Sequence, residues 1–323
     1  MSLTITSPSP VAAVPPEADL AEAPGLLDGA SSLTLTPQVC TLEYWLHAVA
    51  QGTLRGLVHG HAPDAAVPAW MRRPGPLRQA LVEEFAFRSI AEDKATRALA
   101  HLVRSAPDVA GLEFFATQLL DEARHAAAFR GHLLDLGVPA EELAATVEQV
   151  AGRDRDHVLV PLERFGVPLG ERGDYIGGVV VLTVLVEGVL APAAELSERK
   201  WRLLDPAAAQ VERAAGVDEI RHLTVGSAIV RQHLDAHPED RPRLAEILDR
   251  GRALWAGLPV LEVILRREVL FQQGLAEVAD LLGDYEIWPG RRLVDTTPEE
   301  RLTTAATWSA QLQAVRLADM GLA

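Results

Sequence analysis

The sequence predicts an all-α protein built from long helices packed as a bundle. Apolar residues recur at steps of three and four over long stretches, the period of a helix with one buried face. The stretches are separated by turn chemistry at Arg73-Pro74-Gly75-Pro76, Ser105-Ala106-Pro107, Gly137-Val138-Pro139, His237-Pro238-Glu239 and Trp288-Pro289-Gly290. No stretch alternates with the period of two that a strand needs, and patches such as Val158 to Leu162 are short. An aromatic content of only 5%, with abundant Ala and Leu, suits close helix-to-helix packing.

The elements follow in order. Residues 1–36 are rich in Pro, Ala, Ser and Thr and read as a mobile tail ahead of one helical domain, 37–323. A first helix is expected over 38–59. The next, 75–105, carries the stripe Leu81, Phe85, Arg88, Glu92, Ala95, Leu99 and Leu102. Helix 108–136 presents Leu112, Phe115, Leu119, Ala126 and Phe129 around a polar run. Helix 139–165 follows Pro139. Helix 172–201 holds the longest apolar stretch, Val179 to Leu196, which Thr183, Glu187, Pro192 and Glu195 make too polar to span a bilayer. Helix 205–236 presents Val217, Ile220, Val225 and Ile229 around a second polar run. Helices over 240–254, 257–283 and 297–320 complete the chain.

Composition narrows the function. The formal charge of −15 argues against a general binder of nucleic acid or anionic membrane and suits an enzyme or a partner with a basic docking face. A lone cysteine, Cys40, rules out an internal disulfide framework and any CxxC site, in keeping with a reducing cytoplasm. Residues 1–24 lack Lys and Arg and contain several prolines, unlike a signal peptide.

The two polar runs share one form. They are Asp121-Glu122-Ala123-Arg124-His125 and Asp218-Glu219-Ile220-Arg221-His222. Glu and His three apart lie on one helix face, so each run offers a carboxylate and an imidazole together. One such pair is ordinary on a helix surface. Two identical runs on apolar faces point to two halves of a four-helix di-metal site. Such a site needs one more carboxylate from each of two other helices. Glu187 stands inside Val184-Leu185-Val186-Glu187-Gly188-Val189-Leu190, where an ionised, unpaired Glu would cost several kcal/mol, on the order of a buried unpaired charge. Glu92 lies on the stripe of its helix and is preferred to Glu83 and Glu84, with Glu84 as reserve. Glu212, seven before Glu219, faces nearly the same way and could be an additional ligand.

The set Glu92, Glu122-x-x-His125, Glu187 and Glu219-x-x-His222 resembles that of the ferritin-like di-iron carboxylate oxygenases. The separations are 30 residues (92 to 122), 65 (122 to 187) and 32 (187 to 219). They are similar to those of bacterial di-iron monooxygenase hydroxylases and related N-oxygenases, and the likeness covers about residues 80–236. It implies a ferritin-like four-helix bundle over about 78–236 with additional flanking helices. It further implies two iron ions (Fe/Fe, or Mn/Fe on the same ligand types) held by those six residues. Asp121 and Asp218 would orient the metal-bound His rings, with Arg124 and Arg221 pairing the aspartates; a ligating His does donate its other N–H to a carboxylate.

The implied activity is hydroxylation or N-oxygenation of a small organic substrate with O₂, in specialised metabolism, with a ferredoxin or reductase as electron donor and no nucleic-acid or membrane partner; a homodimer fits the family. Phe115 and Phe129 flank the metal face and are expected to line the substrate pocket. Two other readings use the same ligands. One is an oxidase like a ribonucleotide-reductase small subunit; the position where those proteins carry a radical Tyr is here Phe129. The other is a ferroxidase or iron-storage protein. N-oxygenases of this fold carry an extra His one turn before the last Glu, where this chain has Ala215.

Overall fold

The computed structural model describes residues 23–46, 60–62 and 64–323. Most of the expected tail, and most of the helix expected over 38–59, lies outside these residues. Four long helices make the central bundle: α3 (Pro76–Ser105), α4 (Val109–Asp135), α7 (Tyr175–Trp201) and α8 (Pro206–Ala236). Short connections make α3–α4 and α7–α8 antiparallel hairpins. The long crossover between them carries α5 (Leu143–Asp154) and α6 (Val160–Glu171). Before the bundle lie α1 (Leu26–Ser32) and the single turn α2 (Leu42–Tyr44). After it come α9 (Arg241–Gly257), α10 (Val260–Leu275), the turn α11 (Ala279–Leu282) and α12 (Pro298–Met320).

Sequence chemistry starts these helices where the turn residues stand. Asp108 accepts the Gly111 N–H at 2.8 Å, and Asp205 accepts the Ala208 N–H at 3.1 Å. Pro206 sits in the first turn of α8, where a missing N–H costs nothing. Thr297 and Glu300 form a reciprocal capping box at α12.

Several elements differ from expectation. Residues 26–32, expected in the tail, form α1 docked on the bundle. Its Leu26 N–H donates to Glu195 at 3.0 Å, and Leu26 and Ala30 pack with Ile220 and Leu223. Averaging over a Pro- and Ser-rich stretch hid this short apolar patch. The helix expected over 139–165 is two helices that run on to Glu171. They join through a π-helical turn, Arg155–Leu159, whose wider ladder lets the Val160 N–H reach Arg155 O just before Pro161. The helix expected over 257–283 ends at Leu275, and Pro289-Gly290 closes a small antiparallel hairpin, Glu286–Trp288 with Arg291–Arg292.

Helix α7 has the length and mean hydropathy (2.1) of a membrane span, but 67% of that stretch is buried inside the protein. It is the core helix of the bundle. Its middle, Val181–Glu187, is π-helical, and Gly188 N–H reaches back to Thr183 O.

Two apolar cores fill the ends of the bundle. One gathers Leu99, Phe114, Phe115, Tyr175, Val181 and Val225. The other gathers Leu81, Phe85, Phe129, Leu133, Trp201 and Phe271. Each such side chain, fully buried, contributes roughly 1.5–3 kcal/mol. Between the cores, all four helices place polar residues at the same level, and the site lies there.

Candidate metal centre

The shared level is set by the helix spacing. On α4 and α8 the Asp-Glu-x-Arg-His runs face each other across the bundle, while α3 brings Glu92 and α7 brings Glu187. Ligand atoms of Glu92, Glu122 and His125 lie within 4.8 Å of one another, and so do those of Glu122, Glu187 and His222. The two groups share Glu122. Its Oε2 is 3.3 Å from His125 Nδ1, and its Oε1 is 3.3 Å from His222 Nδ1. Glu219 stands just outside this cluster, with Oε2 3.8 Å from His222 Nδ1, and reaches the adjoining cavity.

The aspartates cross over. Asp218 of the second run lies 3.1 Å from His125 Nε2, and Asp121 of the first lies 3.3 Å from His222 Nε2. Each ring is thus held by the opposite run, with Nδ1 turned toward Glu122. Arg124 bridges the two aspartates at 2.7 Å each. Arg221, fully buried, pairs with Asp121 and donates to Thr117 Oγ1 at 3.3 Å. Trp45 Nε1 donates to the other oxygen of Asp121 at 2.9 Å.

This surrounding charge sets the ionisation. Burial alone would raise Asp121, but Arg221, His222 and Arg124 outweigh it and hold the carboxyl well below its usual range. Burial would also raise Glu122; the two imidazoles prevail and hold it at about 2. His222 is pushed up to about 10 despite burial, by the Glu122 charge and the Asp121 hydrogen bond. Glu92 and Glu187 rise well above the usual range, through burial first and then the charge of neighbouring carboxylates. Glu219 rises through burial and the Glu122 charge.

Four buried atoms here have no hydrogen-bond partner: Glu122 Oε1, Glu187 Oε2, Glu219 Oε2 and His222 Nδ1. Leaving such groups unpaired is costly, so this donor set fits cations rather than a protein partner. Four carboxylates and two imidazoles match the oxygen and nitrogen preferences of iron or manganese.

A cavity of about 230 Å³ opens onto Glu92, Glu122, Glu187 and Glu219. Its wall follows α3 from Glu84 to Leu102, a rise of roughly 27 Å, and Glu92 stands near the middle. Beyond Glu92, on the Leu102 side, the wall is mostly apolar, with Leu99, Leu102, Leu162, Val181 and Leu182, and Lys94, His101 and Glu163 as its polar members. Toward Glu84 it is charged: Arg88, Lys200, Arg267 and Glu268. Glu92 keeps some accessible area because it faces this cavity.

Other expected site residues land elsewhere. Phe115 packs edge-on against Phe114 and Tyr175, and Phe129 against Phe85; neither lines the cavity, because each points into one of the two end cores. Glu84 is held at about 2, against burial, by Lys200 and Arg88. Glu212 lies 2.8 Å from Arg88 Nε and outside the ligand cluster. Sequence reasoning missed Gln118, which donates to Glu187 Oε1, and Trp45 on Asp121. Gln118 stands four before Glu122 on one face of α4, a spacing that signals it; nothing local signals Trp45, 76 residues away in sequence.

No family model matches the chain, and no curated protein matches it. Among solved structures it is similar to Protein 19 with aldehyde deformylating oxidase activity from Synechococcus, at 18% identity and a TM-score of 0.53. The likeness covers 77% of this chain and 92% of that one. The fold is ferritin-like: a four-helix bundle with additional flanking helices.

Proposed function

We propose that the chain is a non-haem di-iron oxygenase that uses O₂ to hydroxylate or N-oxygenate a small organic molecule with an apolar body. The observation that carries this reading is the pair of carboxylate–imidazole groups sharing Glu122, each imidazole held by the aspartate of the opposite run. Glu92, Glu122, His125, Glu187, Glu219 and His222 would hold the two ions, and their four carboxylates balance two divalent charges. Bound iron supplies the electron transfer to O₂ that no side chain here can supply.

The side chains do the rest. Asp121 and Asp218 accept the Nε2 protons of the two rings and so leave each Nδ1 as the ligand atom. Arg124 and Arg221 keep those aspartates ionised. Gln118 fixes one oxygen of Glu187 and leaves the other for metal. The apolar wall from Leu99 to Leu182 keeps water from the reacting atom and takes the body of the substrate. Two electrons per turnover would come from a ferredoxin or reductase.

Metal analysis of Glu187→Ala and His222→Ala tests the site. Wild-type protein should hold two iron ions per chain and each variant fewer; two ions retained in both variants would refute the assignment. The activity is tested by O₂ uptake of the reduced, iron-loaded protein with apolar amines, aromatic compounds and an apolar aldehyde. The aldehyde is included because the similar structure has deformylating activity on that class. O₂ uptake that tracks added iron alone, with no organic product, would favour a ferroxidase.

A further inference from the structure

A second cluster of metal-binding side chains lies away from the bundle centre. His132 follows His125 by seven residues on α4, about 10 Å along the helix. Asp135 follows it by three, on the same face. His61 comes from the segment before the bundle. One ligand atom from each of His61, His132 and Asp135 lies within 4.8 Å of the others.

Each ring is oriented from outside the cluster. His132 Nε2 lies 3.1 Å from Asp205 Oδ2, and Asp205 is itself fixed as the cap of α8. The Nε2 proton therefore belongs to Asp205, and Nδ1 carries the lone pair. That Nδ1 is fully buried and has no hydrogen-bond partner. The ring of Phe85 packs on His132 at 5.1 Å between centroids, an apolar neighbour that offers no acceptor or donor. His61 Nδ1 lies 2.9 Å from Ala62 O, and its Nε2 lies 3.6 Å from Asp135 Oδ2.

The backbone is shaped to hold His61 there. Gly60 has φ +76°, and a Cβ on it would stand 2.9 Å from the Ala128 Cβ. Only glycine brings this segment so close to α4. Ala62 N–H then donates to Gln210 of α8 at 2.8 Å. Asp135 is the partly exposed member, so the cluster is reachable from solvent.

We propose that His61, His132 and Asp135 bind one divalent transition-metal ion of the zinc type, as a clasp between residues 60–62 and the end of α4. Two imidazole nitrogens and one carboxylate are a known zinc donor set, which leaves one position for water. Asp205 acts on His132 as a carboxylate does behind a metal-bound histidine. No residue is shared with the bundle centre, so the two sites are tested separately.

The test is a zinc titration of the full-length protein by calorimetry, with metal content after dialysis, on wild type and His61→Ala/Asp135→Asn. The double variant should bind one zinc per chain fewer than wild type, whatever number the bundle centre takes. Asp135→Asn alone keeps shape and should weaken that same zinc at least tenfold, and it decides the matter if the double variant does not fold. Equal stoichiometry and affinity in wild type and Asp135→Asn would overturn the proposal. Loss of metal in Glu187→Ala, with this zinc retained, would concern the bundle centre only.

Discussion

Glu212→Gln separates a buried acid from a metal ligand. Glu212 is 1% exposed on α8, beside Ser197, Arg88 and Glu84. Arg88 Nε is 2.8 Å from Oε1, yet neither atom is in hydrogen-bond geometry, so the ion pair is poor. Burial pushes the carboxyl from 4.5 up to about 8, with Arg88 opposing. At pH 7 the folded protein then keeps a proton that the unfolded chain has released. A folded pKa raised above the unfolded value means stability is full below about pH 4.5 and is lost as pH rises to about 8. Over the 2.5 units to pH 7 the loss is about 3 kcal/mol. Gln cannot ionise in either state, so the variant escapes the loss.

The melting temperature of Glu212→Gln should therefore equal that of wild type near pH 4.5 and exceed it increasingly up to pH 8. With an unfolding entropy of ~0.7 kcal/mol per kelvin for a chain of this length, the gain at pH 7 is about 5 °C. Iron content should not change. A melting difference independent of pH, or a variant that becomes less stable as pH rises, would mean that Glu212 is ionised against Arg88. Loss of iron would make Glu212 a ligand.

Three further outcomes follow from the same geometry. Asp218→Asn leaves His125 Nε2 without its charged acceptor and should weaken metal binding 10–100-fold, an order of magnitude typical of such partners, as read by chelator competition. Arg221→Met leaves Asp121 with less positive charge in a dry core and should destabilise the protein by about 3–5 kcal/mol in urea unfolding; a change near zero would mean that Trp45 and Arg124 suffice. Ala98→Phe puts a ring into the cavity wall beside Leu99 and should cut substrate-dependent O₂ uptake at least tenfold while iron content stays at the wild-type value. Uptake equal to wild type would show that the substrate lies elsewhere.

The long helices and the polar level were legible because both obey local rules. Helix period places Glu92, Glu122 and Glu219 on inward faces, and turn residues mark where the hairpins reverse. The role of the aspartates was legible only through the resemblance to the di-iron oxygenases; in the structure the two runs face each other and each Asp lies beside the other's His. What failed was anything decided by packing between distant segments. Phe129 lies one turn beyond His125, close enough in sequence to suggest a pocket wall, but Phe85 on α3 claims its ring for the core. Residues 26–32 looked like tail because a docking surface made by Ile220 and Leu223 cannot be seen from their own composition. Trp45, His61 and Asp205 reach their partners only through tertiary contact.

The helices after residue 240 lie outside the ferritin-like motif, yet they act on it. The π-helical turn of α7 ends at Glu187, and a wider ladder leaves main-chain carbonyls without their usual i+4 donors. Two carbonyls of this stretch, Val184 O and Leu185 O, accept side-chain donors from the flanking helices. Gln313 of α12 donates to the first at 3.0 Å, and Trp255 of α9 donates to the second at 2.6 Å. A regular helix would rotate Glu187 relative to Glu122 and His222, because one residue fewer per turn shifts every later side chain by about 100°. The flanking helices thus clasp the π-helical turn that carries Glu187 into the cluster. The bundle alone, residues 78–236, lacks both of these donors, so the turn before Glu187 is where the flanking helices touch the site.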